Sequence, residues 1–213
     1  MEEFKTIKEN ISGQIVEKKS KFIANIFYID SIEEAEEIIK NTKKKYYDAK
    51  HNCYAYIVID KDGNIVERCS DDGEPSGTAG QPILSILKGN NLCNIVVIVT
   101  RYFGGILLGT GGLVRAYSQA TTNALMQANY IVKERGKEIK VIVSYSEIET
   151  FKYFCRKNNI KILKEEYLNN VEFIIEISNE MLEKLKSNLD KNYLKMTKLD
   201  IINEKYIEKN INI

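Results

Sequence analysis

"NIVVIVTRYFGGILLGTGGLVRAY" spans residues 94–117 and decides how the chain folds. Its first ten residues are almost continuously apolar and β-branched. Such a run suits a strand covered on both faces, so Asn94–Phe103 reads as the central strand of a sheet. Five glycines follow between Gly104 and Gly112, which marks a turn with unusual backbone freedom. Leu113, Tyr117, Ala120, Ala124 and Ala128 then recur at steps of four, three, four and four, predicting a helix from about Thr110 to Asn129. Strand, glycine turn and helix in direct succession set an open helix start, with its unpaired backbone N–H groups, beside the end of the strand.

Working outward, nine of the twelve glycines and both prolines lie between Asp71 and Gly112. The rest should be plain strand and helix. "GQIVEKKSKFIANIFYI" predicts two strands bent near Lys18–Lys21. Ser31 and Glu34 form a capping box for a helix whose apolar face is Ile32, Ala35, Ile38, Ile39 and Tyr46. Lys43, Lys44 and Lys45 close that helix and complement its negative end. "HNCYAYIVI" and "NIVERCS" make a hairpin through the Asp60–Gly63 turn, and a short helix follows over Ala79–Lys88. Past Lys133 the composition shifts to Ile, Lys, Glu and Asn, which puts a domain boundary near residues 131–136. The remainder reads as strand, helix, two strands hinged at Asn169-Asn170, helix and strand, with Ser146 and Glu149 as a second capping box. That is a β-α-β-β-α-β order of ferredoxin-like type.

At 213 residues, 44% hydrophobic and 29% charged, the chain has room for two modest cores and no signature of disorder. Through Ile131 it carries 15 Lys+Arg against 16 Asp+Glu, and afterwards 16 against 14, so any nucleic-acid footprint must be local. The longest apolar run, Cys53–Ile59, is far too short for a membrane helix, and the charged start lacks a signal-peptide core. We expect a cytoplasmic protein with no membrane partner. Four cysteines spaced 16, 24 and 62 apart offer neither a metal knuckle nor a disulfide framework, so neither a metal nor a cofactor is expected.

The glycine turn is no nucleotide loop of known type. Thr110 stands where a P-loop needs lysine, and Val114 where the dinucleotide fingerprint needs its third glycine. Two readings stay open for Arg101 and Arg115. They bracket an anion at the helix start, or they pair with Asp71, Asp72 or Glu74 of the "SDDGEPSGTAG" turn and fasten two loops together. His51, the only histidine, shares a strand face with Cys53, so a Cys–His dyad is one candidate chemistry; the Asp71–Asp72 pair is another, and both would imply a hydrolase-like enzyme. Tyr54, Tyr56, Tyr102 and Phe103 are placed to stack bases or simply to pack.

"KSKF" (Lys19–Phe22), "HNCYAY" (His51–Tyr56), "CSDDGEPSGTAGQPIL" (Cys69–Leu84) and "TRYFGGILLGTGGLVRAYSQA" (Thr100–Ala120) together resemble the YigZ/IMPACT family. The resemblance implies an α+β chain with two domains. Residues 1–132 would form an IMPACT-type domain like domain IV of elongation factor G, and residues 137–213 a ferredoxin-like module. It implies no established catalytic activity, a eukaryotic relative that regulates translation through protein contacts, and bacterial relatives thought to bind nucleic acid or the ribosome. Leu107 stands where many relatives carry lysine, which removes a cation from the glycine loop.

The expectation from these readings is a non-enzymatic regulator of translation or stress response. It would dock on a translation-machinery protein, the ribosome or RNA through a polar face of His51, Asp71, Asp72, Glu74, Arg101, Tyr102, Gly104, Gly105 and Arg115.

Overall fold

The computed structural model describes residues 2–190 and 195–209, and the chain divides into two compact units, Glu3–Ile131 and one that begins at Val132. In the first unit the elements run β1 (Glu3–Ile7), β2 (Ile11–Glu17), β3 (Ser20–Tyr28), α1 (Ile32–Lys45), β4 (His51–Ile59), β5 (Ile65–Ser70), α2 (Gly80–Gly89), β6 (Ile95–Tyr102) and α3 (Thr110–Leu125). Five of the strands form an antiparallel sheet in the order β2-β3-β6-β4-β5. The apolar run from Asn94 supplies its middle strand, β6, in which Ile95 to Val99 are fully buried.

Alternation along β6 assigns its two faces. Val96 and Ile98 pack with Tyr56, Val58 and the α1 residues Ala35 and Ile39. Val97 and Val99 pair in register with Ile26 and Ala24, on the side where Tyr117 of α3 meets Phe22 edge-on at 5.1 Å. Ser31 caps α1 by accepting the Glu34 N–H at 3.1 Å, while the Glu34 carboxylate reaches one residue further back than the capping box requires, to the Asp30 N–H at 2.7 Å.

The second unit holds β7 (Tyr130–Val143, from Val132 on), α4 (Ile148–Lys157), β8 (Lys161–Tyr167), β9 (Val171–Ser178), α5 (Asn179–Asp190) and β10 (Lys198–Glu208). Its antiparallel strands are ordered β10-β7-β9-β8. One face buries Val171, Phe173, Ile175 and Ile177 against Phe151 and Phe154 of α4 and Leu182 and Leu185 of α5. The other face is a lattice of ion pairs, among them Lys140–Glu172 at 2.7 Å and Lys205 with both Glu138 and Glu176 at 2.7 and 2.8 Å.

Three local expectations are corrected. The bend at Lys18–Lys21 is a two-residue hairpin, with Glu17 paired to Ser20. Helix α3 stops at Leu125 because the N–H groups of Gln127 and Ala128 turn to the carbonyls three residues back, Ala124 and Leu125, and so tighten out of the helix. Ser146 caps nothing: it lies in a 3-10 turn, Tyr145–Glu147, and its hydroxyl bonds that of Ser144 at 2.9 Å.

Candidate functional site

β6 ends at one margin of the first unit's sheet, where register sets Arg101 between Phe22 of β3 and His51 of β4. Above it sits the turn Asp71–Glu74, closed by the Glu74 N–H donating to the Asp71 carbonyl at 2.9 Å, with left-handed backbone at Asp72 (φ 43) and Gly73 (φ 85). This geometry aims the Glu74 carboxylate inward. Its Oε1 accepts from the Arg101 guanidinium at 2.6 Å and from the Tyr117 hydroxyl at 2.9 Å, and the His51 Nε2 stands 4.0 Å away. The Glu74 side chain is 3% exposed and that of Arg101 7%, so the pair belongs to the interior. Arg101 also stacks between the rings of Phe22 and Phe103, each 5.5 Å from its Cζ.

The other acids of the turn are equally engaged. Asp71 receives the N–H groups of Gly77, Ala79 and Gly80 at 2.8–2.9 Å, the last two at the start of α2, which has no side-chain cap of its own. Burial opposes its charge, but these three donors outweigh that and hold the carboxyl below its ordinary value. Asp72 takes the Lys43 ammonium at 2.5 Å and the Asn52 N–H at 2.7 Å, which ties the turn to the end of α1. The His51 ring meets the Asp72 carbonyl through Nδ1 at 2.9 Å, and because a carbonyl only accepts, that nitrogen carries a proton.

Of the polar face expected from the sequence, Glu74 and Arg101 pair with each other in the interior, the half-buried His51 meets the Asp72 carbonyl, and the carboxylates of Asp71 and Asp72 are taken up by the start of α2 and by Lys43. Of the two arginine readings left open, Arg101 takes the fastening role and Arg115, exposed on α3 with no ion pair among the described residues, does not. The dyad fares no better. Burial pushes the Cys53 thiol up to about 12, and its Sγ lies 2.9 Å from the Asp71 carbonyl and 3.3 Å from the Tyr117 hydroxyl. At neutral pH it stays a thiol, the opposite of what a nucleophile requires. Among the described residues, no three His, Cys, Asp or Glu side chains are grouped to hold a metal.

What this end presents outward is different. Tyr102 donates its hydroxyl to Asp48 at 2.8 Å. The backbone of Gly104 lies directly on the β2–β3 hairpin, where its N–H donates to the Ser20 hydroxyl at 3.1 Å, while Gly105 turns with φ +84 into open space. The loop tip so formed exposes Phe103 at 54% and Leu107 at 83%. Lys18, Lys19, Lys21, Lys44, Lys50 and Arg115 are all exposed and none has an acidic partner among the described residues; of these, Lys21 pairs in register with Tyr102 beside the loop. Lys18 and Lys19 form the hairpin tip itself, both left-handed at φ 45 and 67, positions where Asn-Gly is the relaxed choice.

Comparison with known proteins matches the Impact N-terminal domain to residues 18–125 and a domain of unknown function, DUF1949, to residues 141–193. The chain is 36% identical over 168 residues to the IMPACT family member YvyE of Bacillus subtilis, covering 79% of this chain and 76% of that one. The chain belongs to the IMPACT family. Another member, YigZ of Escherichia coli, is 36% identical over 150 residues, 70% of this chain and 74% of its own. A crystal structure described as that of a hypothetical protein superposes with a TM-score of 0.64 at 30% identity, over 96% of this chain and all of that one.

The IMPACT domain match begins at Lys18, on the hairpin tip, and ends at Leu125, the last residue of α3. Sequence reading did not single out Tyr117 as the second donor to Glu74, nor Lys18 and Lys19 as a tight turn. The first leaves no local signal, since Tyr117 sits at an ordinary core spacing of its helix. The second was legible in principle: two strand patterns separated by two residues are a hairpin even when neither residue is glycine.

Proposed function

We propose that this IMPACT-family chain is a regulator of translation that works by binding, and that it docks on RNA-bearing parts of the translation machinery through the cationic end of its first unit. The observation that carries this reading is the hairpin tip. Two lysines hold a backbone conformation that costs each of them about 1 kcal/mol, and a third, Lys21, follows on the strand that leaves the turn, exposed and with no acidic partner among the described residues. The outer sheet face of the second unit, by contrast, neutralises its own lysines with glutamates and leaves little field for phosphate. The exposed Phe103 ring adds a stacking surface beside the cations.

The fold likenesses implied by the resemblance belong to this proposal, with residues 1–132 akin to domain IV of elongation factor G and residues 137–213 to a ferredoxin-like module. The β-α-β-β-α-β element order and the strand order β10-β7-β9-β8 support the second of them. The salt dependence of binding to single-stranded RNA and to ribosomes tests the docking reading. Engagement of four to six phosphates gives a slope of roughly −3 to −4 in log–log form, so affinity falls roughly fiftyfold to several hundredfold between about 50 and 200 mM salt. Binding that is flat over that range overturns the phosphate contact.

A further inference from the structure

Successive side chains of a strand point to opposite faces, so Arg101 and Phe103, two residues apart where β6 ends, stand on one face, and register puts Phe22 of β3 directly beside Arg101. The three form a stack. The Arg101 guanidinium lies between the two rings, its Cζ 5.5 Å from each centroid. Glu74 accepts from that guanidinium at 2.6 Å and from the Tyr117 hydroxyl at 2.9 Å, and the Tyr117 ring meets Phe22 edge-on at 5.1 Å. Phe22, Arg101, Glu74 and Tyr117 thus close a circuit, and all four are buried.

Phe103 rests on that circuit from outside. One side of its ring is turned to Arg101, yet the residue is 54% exposed, which leaves the other side to water. The two residues after it carry no side chain. Gly104 lies on the backbone of Lys19 and Ser20, and Gly105 faces open space, so neither adds bulk beside the ring. The same contacts bring cations to it: Lys19 lies under the residue that follows Phe103, and Lys21 pairs in register with the residue before it. A cation against one side of an aromatic ring draws π density toward itself, which lowers the repulsion a second electron-rich ring meets on the other side. A fixed ring backed by a cation, with lysines beside it, suits a planar base on the ring and its phosphates at the lysines.

We infer that Phe103 is a base-stacking residue: the bare face of a nucleobase in single-stranded RNA lies on the outer side of its ring, the neighbouring phosphates meet Lys19 and Lys21, and the buried Arg101 is the positioning residue that holds the ring. This rests on the docking reading above and adds what is recognised there, an uncovered base in addition to phosphate. Paired RNA offers such a face only at the ends of its helices, because every inner base is stacked on both sides. A ring that served only to shield Arg101 from water would give the same stack with nothing bound, and leucine would shield as well. The two accounts part experimentally.

Titration of the full chain with an adenosine decamer and with an abasic ribose-phosphate decamer separates stacking from phosphate contact, since both carry the same phosphates. The adenosine decamer is expected to bind about tenfold more tightly, with the same log–log salt slope. In the Phe103→Leu protein that ratio should fall to about one, and because it is taken within one protein, a change in stability cancels from it. The chain has no tryptophan, so Phe103→Trp supplies a single emission that the adenosine decamer should quench and the abasic one leave unchanged. Glu74→Leu with Arg101→Met, which removes the cation under the ring, should lower the ratio by about threefold without altering affinity for the abasic decamer, which a general loss of structure would not do. Equal affinity for the two decamers, a ratio that survives Phe103→Leu, or an emission that neither decamer changes overturns the inference, and salt-steep binding in those cases leaves the docking reading standing. An unchanged ratio in the double variant overturns the role given to Arg101. Preference for the adenosine decamer with a flat salt response keeps the stack and overturns the phosphate contact, and binding of neither decamer overturns both.

Discussion

Glu74→Ala is expected to destabilise the first unit by about 3–5 kcal/mol, read as a shift of the urea unfolding midpoint by circular dichroism. A surface ion pair would contribute about 0–1 kcal/mol. The difference lies in the 3% and 7% exposure of the two side chains: with the carboxylate gone, Arg101 keeps its charge under the Asp71–Glu74 turn and cannot reach water. The Tyr117 hydroxyl loses its acceptor in the same step, and through it the Cys53 thiol loses part of its hydrogen-bonded surroundings. Replacing both partners with apolar residues of similar volume, Glu74→Leu with Arg101→Met, should recover most of the loss, because it removes the buried charge along with its partner. Arg115→Ala, at an exposed position with no ion pair among the described residues, should leave stability within about 0.5 kcal/mol of the native value. A Glu74→Ala protein as stable as the wild type would show the pair to be solvated and the turn free to act as a docking face.

Gly104→Ala should be almost as damaging, at about 3 kcal/mol, for a steric reason. A Cβ there would stand 2.0 Å from the Lys19 carbonyl carbon, 2.2 Å from its oxygen and 2.4 Å from the Ser20 nitrogen. All three are backbone atoms of the hairpin, so no rotamer change relieves the overlap. Loop and hairpin must separate, breaking the Gly104–Ser20 hydrogen bond and carrying Lys18 and Lys19 away from Phe103. Gly105→Ala is the control: its φ of +84 costs about 1 kcal/mol in strain, but the space around it is open. Near-native stability in the Gly104→Ala protein would mean that the loop does not rest on the hairpin.

These two residues show what the sequence could and could not convey. The strand at Ile95–Tyr102, its central place in the sheet and the helix that follows were legible because hydrophobic periodicity is a local property. The meeting of the Asp71 and Arg101 loops was carried only as one open reading, because glycine marks where a turn falls and not what it packs against. Which way their side chains point was not legible. Asp71, Asp72 and Glu74 are three acids in four residues that look alike as letters, yet a turn with two left-handed residues sends one to helix α2, one to Lys43 and one into the core. Arg101 and Arg115 looked equivalent for the same reason, and strand register decided between them. The lysine hairpin went unread because its turn carries none of the residues that usually announce one.

The docking account stands on Lys18 and Lys19 being kept for their charge at a cost to the fold. Binding of single-stranded RNA by the Lys18→Asn/Lys19→Gly protein tests that most directly, because the relaxed turn separates the two effects. The account predicts a protein more stable by about 1 kcal/mol whose log–log salt slope is shallower by roughly 1.4, the share of two phosphate contacts. Unchanged affinity and slope in that more stable protein would contradict it.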